Sequence, residues 1–173
     1  MLLSSLHPLR HLQTLKIYEI LHLSSPLSLQ LSLTKITLER TDLQAMKVLG
    51  SLTNLRILEV VGGVHQNSLI CVESSFRQLE VFKMANVDVL QWIMQKGAMS
   101  SLQRLVLDRC KFSIMPPDEL SCLTTLRDVE VSHPSPKLAK MLQQLEMRDG
   151  CKLQVYPPLH PTSCKTCKAR ENH

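Results

Sequence analysis

Aromatic residues are nearly missing from this chain, making up 3% of it against 44% hydrophobic residues in all. A core assembled round a few large rings is therefore not expected. Leucine recurs along the whole sequence instead, which predicts a uniform aliphatic stack. Glycine is scarce too, with 5 in 173 residues. Neither GxGxxG nor GxxxxGK(S/T) occurs, so no glycine-rich cradle for a phosphate is encoded. There is no G-x-S-x-G and no N-x-S/T sequon. No uninterrupted apolar stretch is long enough to span a bilayer. The opening MLLSSLHPLRHL offers two leucines before Pro8, Arg10 and His11 break the run, which is not the pattern of a signal peptide. These absences together predict a cytoplasmic protein without a membrane span, whose six cysteines are reduced thiols rather than a disulfide framework.

Charge is unevenly placed. Of the formal net charge of +5, the four basic residues Lys152, Lys165, Lys168 and Arg170, less Glu171, carry +3, which leaves +2 for residues 1 to 151. A nucleic-acid surface needs basic residues gathered on one face, with aromatics if it grips single strands. Neither is legible, so nucleic acid is not expected as a partner. Cys164-x-x-Cys167 with His160 and His173 imitates half a zinc site, but zinc needs four ligands and no second half-motif follows. The basic, proline-containing stretch 157–173 reads as a disordered tail. The seven histidines are scattered, and no acid, base and nucleophile converge, so no enzyme, cofactor or metal is expected.

What is present is a period. The template L-x-x-L-x-L-x-x-(N/C/T)-x-L is filled by Leu102, Leu105, Leu107, Cys110 and Phe112, and by Leu33, Ile36, Leu38, Thr41 and Leu43. Leu12, Leu15 and Ile17 open a first unit that puts Ile20 in the small-polar slot and His22 at the last apolar one. Leu55, Leu58 and Val60 follow, then Leu79, Phe82, Met84, Val87 and Val89, then Leu126, Val129 and Val131. The first leucines, 12, 33, 55, 79, 102 and 126, are 21 to 24 residues apart, which is leucine-rich-repeat spacing. In x-L-x-L-x alternate residues are buried, so each unit contributes one short strand, and strands stack in parallel because no unit can bury its apolar face alone. The fold class expected is α/β: a leucine-rich-repeat solenoid with a curved parallel sheet on the concave face and loops and short helices on the convex one.

The remainder of each unit is expected to be loop, turn or short helix. In MPPDELSCLTTL, Pro116 and Pro117 precede Asp118 and Glu119, acids suited to a first helical turn. VVGGVHQNSLICVESS, residues 60–75, is the least repetitive stretch and reads as an irregular loop. In 133–150, Ser135 and Pro136 make a helix start, Leu138, Met141, Leu142 and Leu145 share a face, and Gly150 supplies the stop. The expected organisation is repeats over 1–134, a C-terminal capping helix and strand over 135–156, and the tail. The N-terminus shows no matching cap, which reads as the end of something longer.

LTKITLERTDLQAMKVLGSLTNLRILEV (33–60), AMSSLQRLVLDRCKFSIMPPDELSCLTTLRDVEV (98–131) and KMLQQLEMRDGCKLQVY (140–156) resemble the C-terminal leucine-rich region of plant intracellular disease resistance proteins of the coiled-coil, NB-ARC, leucine-rich-repeat type. The likeness covers roughly residues 6 to 156 and extends less to extracellular receptors, whose L-x-G-x-I-P signature is absent. The resemblance implies pathogen sensing, with this region as recognition and autoinhibition module. Its protein partner would be a pathogen effector, a guarded host protein or an NB-ARC domain. The nucleotide-binding residues of that family have no counterpart here. Two other readings stand beside it: a generic cytosolic scaffold or ubiquitin-ligase adaptor fragment without an immune role, and a truncated product.

A solenoid usually binds on its concave strand face. The positions facing solvent there are Lys35 on one strand; Ile57, Glu59 and Val61 on the next; Val81, Lys83 and Ala85; Arg104, Val106 and Asp108; and Asp128 and Glu130. These twelve are the candidate protein-binding face. Ile57, Val61, Val81, Ala85 and Val106 read as an apolar island with a charged rim, the anatomy of a protein interface. Cys110, between Arg109 and Lys111, first suggests an activated thiol. The repeat places it in the inward slot that Thr41 fills three units earlier, so it is expected to be structural.

Overall fold

Seven five-residue segments in which apolar residues hold the second and fourth places become the seven strands of one parallel sheet. The computed structural model describes residues 11–19, 32–41, 43, 45–62, 67–114, 116–142 and 149–158. Outside them lie Ile20 and His22 of the first unit, Leu145 of the expected capping helix, and the tail with His160, Cys164, Cys167 and His173. The elements in chain order are β1 (Thr14–Tyr18), β2 (Lys35–Glu39), α1 (Ala45–Leu49), β3 (Ile57–Val61), β4 (Asn67–Cys71), β5 (Val81–Ala85), β6 (Asp88–Met94), β7 (Arg104–Asp108), β8 (Lys111–Phe112), α2 (Glu119–Cys122), β9 (Asp128–Ser132), α3 (Pro136–Leu142) and β10 (Lys152–Tyr156). The large sheet runs β1-β2-β3-β5-β7-β9-β10, and a smaller one runs β4-β6-β8. It is an α/β architecture of parallel strands with few and short helices.

The register of the large sheet has no slip: Lys35, Ile57, Val81, Arg104, Asp128 and Lys152 are successive partners, and so is every other position. Side chains alternate across a strand, so this register lines up Ile36–Leu38, Leu58–Val60, Phe82–Met84, Leu105–Leu107 and Val129–Val131 on the inward face, where all are buried. Leu15, Leu153 and Val155, on the two end strands, are only partly covered because each end strand has a neighbour on one side.

Backbone pairing continues past both strand ends. Before the strands, the Gln13, Thr34, Arg56, Glu80 and Gln103 carbonyls each accept two N–H groups from the next unit. After them, Glu19, Arg40, Gly62, Asn86, Arg109 and His133 all adopt positive φ, between 50° and 63°. Each turns its N–H onto the last carbonyl of the next strand, at 2.8–3.0 Å in the first five. A left-handed residue other than glycine costs roughly 1–2 kcal/mol. The hydrogen bond gained offsets about 0.5–1.5 kcal/mol of that. The turn is what sends the chain inward after each strand, and the repeat enforces it on Arg and Glu as readily as on Gly62.

The inward slot behaves as expected. Thr41 and Cys110 are both buried; the Thr41 hydroxyl donates to the Glu39 carbonyl at 3.3 Å, and the Cys110 thiol to those of Met84 and Asp108 at 3.4 and 3.5 Å. Burial pushes the Cys110 thiol up to about 11, the opposite of activation. Arg109 and Lys111 are exposed and leave it alone.

Two expectations are corrected on the opposite side. Residues 60–75 are not wholly an irregular loop: they contain β4, which pairs in parallel with β6, and β6 pairs with β8. The signal is a short alternation, in which Leu69 and Cys71 are fully buried while Ile70 between them is half exposed. Second, the core is not uniformly aliphatic. Three of the six rings meet between the two sheets, with Phe82 edge-on to Trp92 at 5.7 Å and Trp92 stacked on Phe112 at 6.4 Å. Phe82 of the large sheet and Trp92 and Phe112 of the smaller one bridge the space between the sheets, which large side chains fill with fewer residues than leucines would need.

The helices begin where their signals stand. In α2, Glu119 lies in the first turn directly after Pro116, Pro117 and Asp118. In α3, the Ser135 hydroxyl accepts the Leu138 N–H at 3.3 Å and Pro136 is the first helical residue, where its missing N–H is no loss. Leu138 and Leu142 are buried and Met141 is half-buried. Lys137 donates to the Ser113 carbonyl beside β8.

Candidate protein-binding face

The outward face of the large sheet is a grid of three positions on each of seven strands. All twelve residues expected on it lie there. Lys35, Ile57, Val81, Arg104 and Asp128 share one row across the strands; Glu59, Lys83, Val106 and Glu130 share the middle row; Val61, Ala85 and Asp108 share the third.

Most charges on the face meet an opposite charge across strands, because opposite signs fall on neighbouring strands about 4.8 Å apart. Lys16 meets Glu39 at 3.0 Å, Lys35 meets Glu59 at 3.2 Å, Lys83 meets Glu59 at 3.4 Å, and Arg104 meets Glu130 at 2.8 Å. Asp108 faces His133 at 3.4 Å and Arg109 at 3.6 Å. Lys16 also lies 4.7 Å from the centre of the Tyr18 ring, and its pKa is raised by Tyr18 first and by Glu39. Glu59 is the hub: one carboxylate oxygen serves both lysines, and the other accepts the Thr37 hydroxyl at 3.0 Å. Burial alone would raise the Glu59 pKa, but hydrogen bonds from Lys35 and Thr37 and the two lysine charges outweigh it, and the carboxyl sits below its ordinary value.

This geometry corrects the apolar island. Ile57 and Val81 pair in the first row, Val61 and Ala85 in the third, and between them runs the Glu59–Lys83 ion pair. With Val106 on β7, the five apolar residues form an arc round a charge pair rather than an unbroken patch. All five are half-buried. Sequence spacing assigns each residue its row, whereas the pairing of Glu59 with Lys83 between the two apolar rows depends on the sheet register.

Nine further residues complete the grid: Thr14, Lys16 and Tyr18 of β1, Thr37 and Glu39 of β2, Ser132 of β9, and Lys152, Gln154 and Tyr156 of β10, whose strand continues the sheet in register with β9. Gly150 occupies the leucine position of that unit, 24 residues after Leu126, which hid it among the repeats although Leu153 and Val155 fit. Tyr18 and Tyr156 stand at the two ends of the third row with 57% and 49% of their surface exposed, large rings offered to solvent at both edges of the face.

Among the described residues no group of three or more His, Cys, Asp or Glu could hold a metal ion. On the other side of the coil a cleft of about 300 Å³, lined by Met94, Lys96, Ala98, Glu119, Cys122 and Leu123 among others, brings one carboxylate and one thiol near each other. It contains no histidine to act as base. No helix among the described residues is long and apolar enough to cross a membrane.

Fold and face together define a repeat-type parallel α/β protein with one broad, ion-paired sheet surface. No family model matches the chain. It is similar to the Probable disease resistance RPP8-like protein 2 of Arabidopsis thaliana, with 24% identity over 127 residues. That stretch is 72% of this chain and 14% of that protein, so the chain spans a small part of the relative's length. The likeness is a distant one to a plant disease resistance protein.

Proposed function

We propose that this chain is a leucine-rich-repeat solenoid, closed at one end by α3 and β10, that acts as the recognition region of a plant NLR-type immune receptor. It works in the cytoplasm without catalysing a reaction. Its sheet face docks a protein: a pathogen effector, a guarded host protein, or the NB-ARC domain that it holds inactive.

The observation that carries the reading is the unbroken register of seven strands, which presents twelve candidate residues on one surface. An apolar arc set among satisfied ion pairs is suited to a protein partner. Water leaves the aliphatic groups on docking, while paired charges fix orientation. The face carries five basic residues (Lys16, Lys35, Lys83, Arg104, Lys152) and five acidic ones (Glu39, Glu59, Asp108, Asp128, Glu130), so its net charge is near zero. Long-range steering is then weak, and binding should depend little on salt. The distant similarity to a disease resistance protein supports the immune assignment.

The test is co-expression with the NB-ARC domain of a plant receptor of this kind, or with a candidate effector, followed by titration of purified partners. The Ile57→Asp, Val81→Asp double variant removes two aliphatic groups, each worth roughly 1.5–3 kcal/mol if fully buried. Affinity should fall at least about a hundredfold. Leu90→Asp, on the other sheet and exposed already, should bind as the wild type does. Equal binding by all three proteins, or loss only in Leu90→Asp, refutes the docking face.

A further inference from the structure

We propose that the arc on the sheet face recognises a carboxylate framed by apolar side chains, an Asp or Glu flanked by aliphatic or aromatic residues on the partner. The inference rests on the docking reading above and specifies the partner's chemistry.

The charges around Glu59 do not balance. The Glu59 carboxylate is shared between the ammonium groups of Lys35, at 3.2 Å, and Lys83, at 3.4 Å, through the same oxygen. Its other oxygen is taken by Thr37. One negative charge therefore answers two positive ones, which leaves the cluster with one positive charge in excess. That excess lies outermost at Lys83, whose side chain is 45% exposed against 36% for Lys35 and 20% for Glu59. The acids nearby are engaged elsewhere, Glu130 by Arg104 and Asp108 by His133 and Arg109.

The surroundings decide what can cover this charge. Lys83 lies in the middle row between Val81 and Ala85 of its own strand, with Val106 on the next strand and Ile57 and Val61 on the previous one. A partner that buries those aliphatic groups must also take Lys83 out of water. An ammonium with three donors and a single, shared carboxylate contact is costly to desolvate unless an anion meets it. An apolar partner without an acid leaves that cost unmet, and a basic one is repelled. An acid ringed by apolar side chains satisfies both requirements and would complete a network in which two carboxylates serve two lysines.

The probe is a displayed library of random peptides selected on the purified chain, with the enriched sequences synthesised and titrated. They should carry Asp or Glu next to apolar residues and should bind the Ile57→Asp and Lys83→Met variants about tenfold or more weakly than the wild type. Replacing the peptide's acid by Lys should restore binding to Lys83→Glu. Trp92 emission reports whether each variant keeps its fold, and Lys83→Gln serves where Lys83→Met does not. Peptides that lose affinity at Ile57→Asp but are indifferent to Lys83→Met and Lys83→Gln would overturn the carboxylate inference and leave the docking face standing. Peptides indifferent to Ile57→Asp as well, or a library with no enrichment, would overturn both.

Discussion

Replacing Phe82 by alanine tests whether the rings between the two sheets hold the fold. Phe82 is fully buried on β5 and meets Trp92 of β6 edge-on at 5.7 Å. A buried Phe→Ala change costs roughly 3–5 kcal/mol through lost transfer energy and the cavity left behind. The ring pair accounts for about 0.5–1.5 kcal/mol beyond area. A protein of this size has roughly 5–15 kcal/mol in total, so the variant should still fold in buffer but with a sharply lower urea midpoint. The reporter is built in: Trp92 is the chain's one tryptophan and only 2% exposed. Its emission should shift to the red as the sheets separate. Phe82→Leu, which keeps most of the volume, should cost less than about 1.5 kcal/mol. If Phe82→Ala lost under about 1 kcal/mol, or if Trp92 emission changed at a different urea concentration from the far-ultraviolet signal, the rings would not be tying the sheets together.

Other predictions follow from the turns, the ion pairs and the thiols. Arg109, at φ 50°, should tolerate glycine with little change or a gain of up to about 1 kcal/mol, whereas valine there should cost about 1–2 kcal/mol in thermal unfolding. Because the folded Glu59 carboxyl titrates below its ordinary value of 4.5, the stability it contributes is present above that pH and is lost as pH falls through the lowered folded value. Glu59→Gln should flatten that part of the stability–pH curve, and an unchanged slope would refute the pairing. Thiol reagents should label exposed Cys122 in the folded chain well before Cys71 and Cys110, which burial pushes up to about 12 and about 11. Labelling of Cys110 as fast as Cys122 would contradict its place in the inward slot.

The repeat was legible because it depends on short-range physics. Strand period, spacing of the units and the inward slot at Thr41 and Cys110 all follow from alternation and from the need to pair backbone groups in the next unit. The starts of α2 and α3 were legible for the same reason, since proline, serine and acidic residues act within one turn. The second sheet is not legible in the same way because β8 has only two residues and β4 lies in the least repetitive stretch, outside the leucine template, where a strand forms only once β6 offers it partners. The seventh strand stands outside the leucine template because Gly150 occupies the place where the other units have leucine.

The sequence by itself determined which side chain of each strand faces inward and which row each outward residue occupies, because a strand's period of two leaves no choice once the leucines are buried. It also determined that Cys110 belongs to the scaffold. Only the tertiary structure decided what the rows mean together. Glu59 meets Lys35 and Lys83 because these residues, each 24 positions away in the chain, are brought alongside it by the sheet register. That cross-strand meeting turns a presumed apolar island into an arc round a charge, and no reading along one strand can supply it.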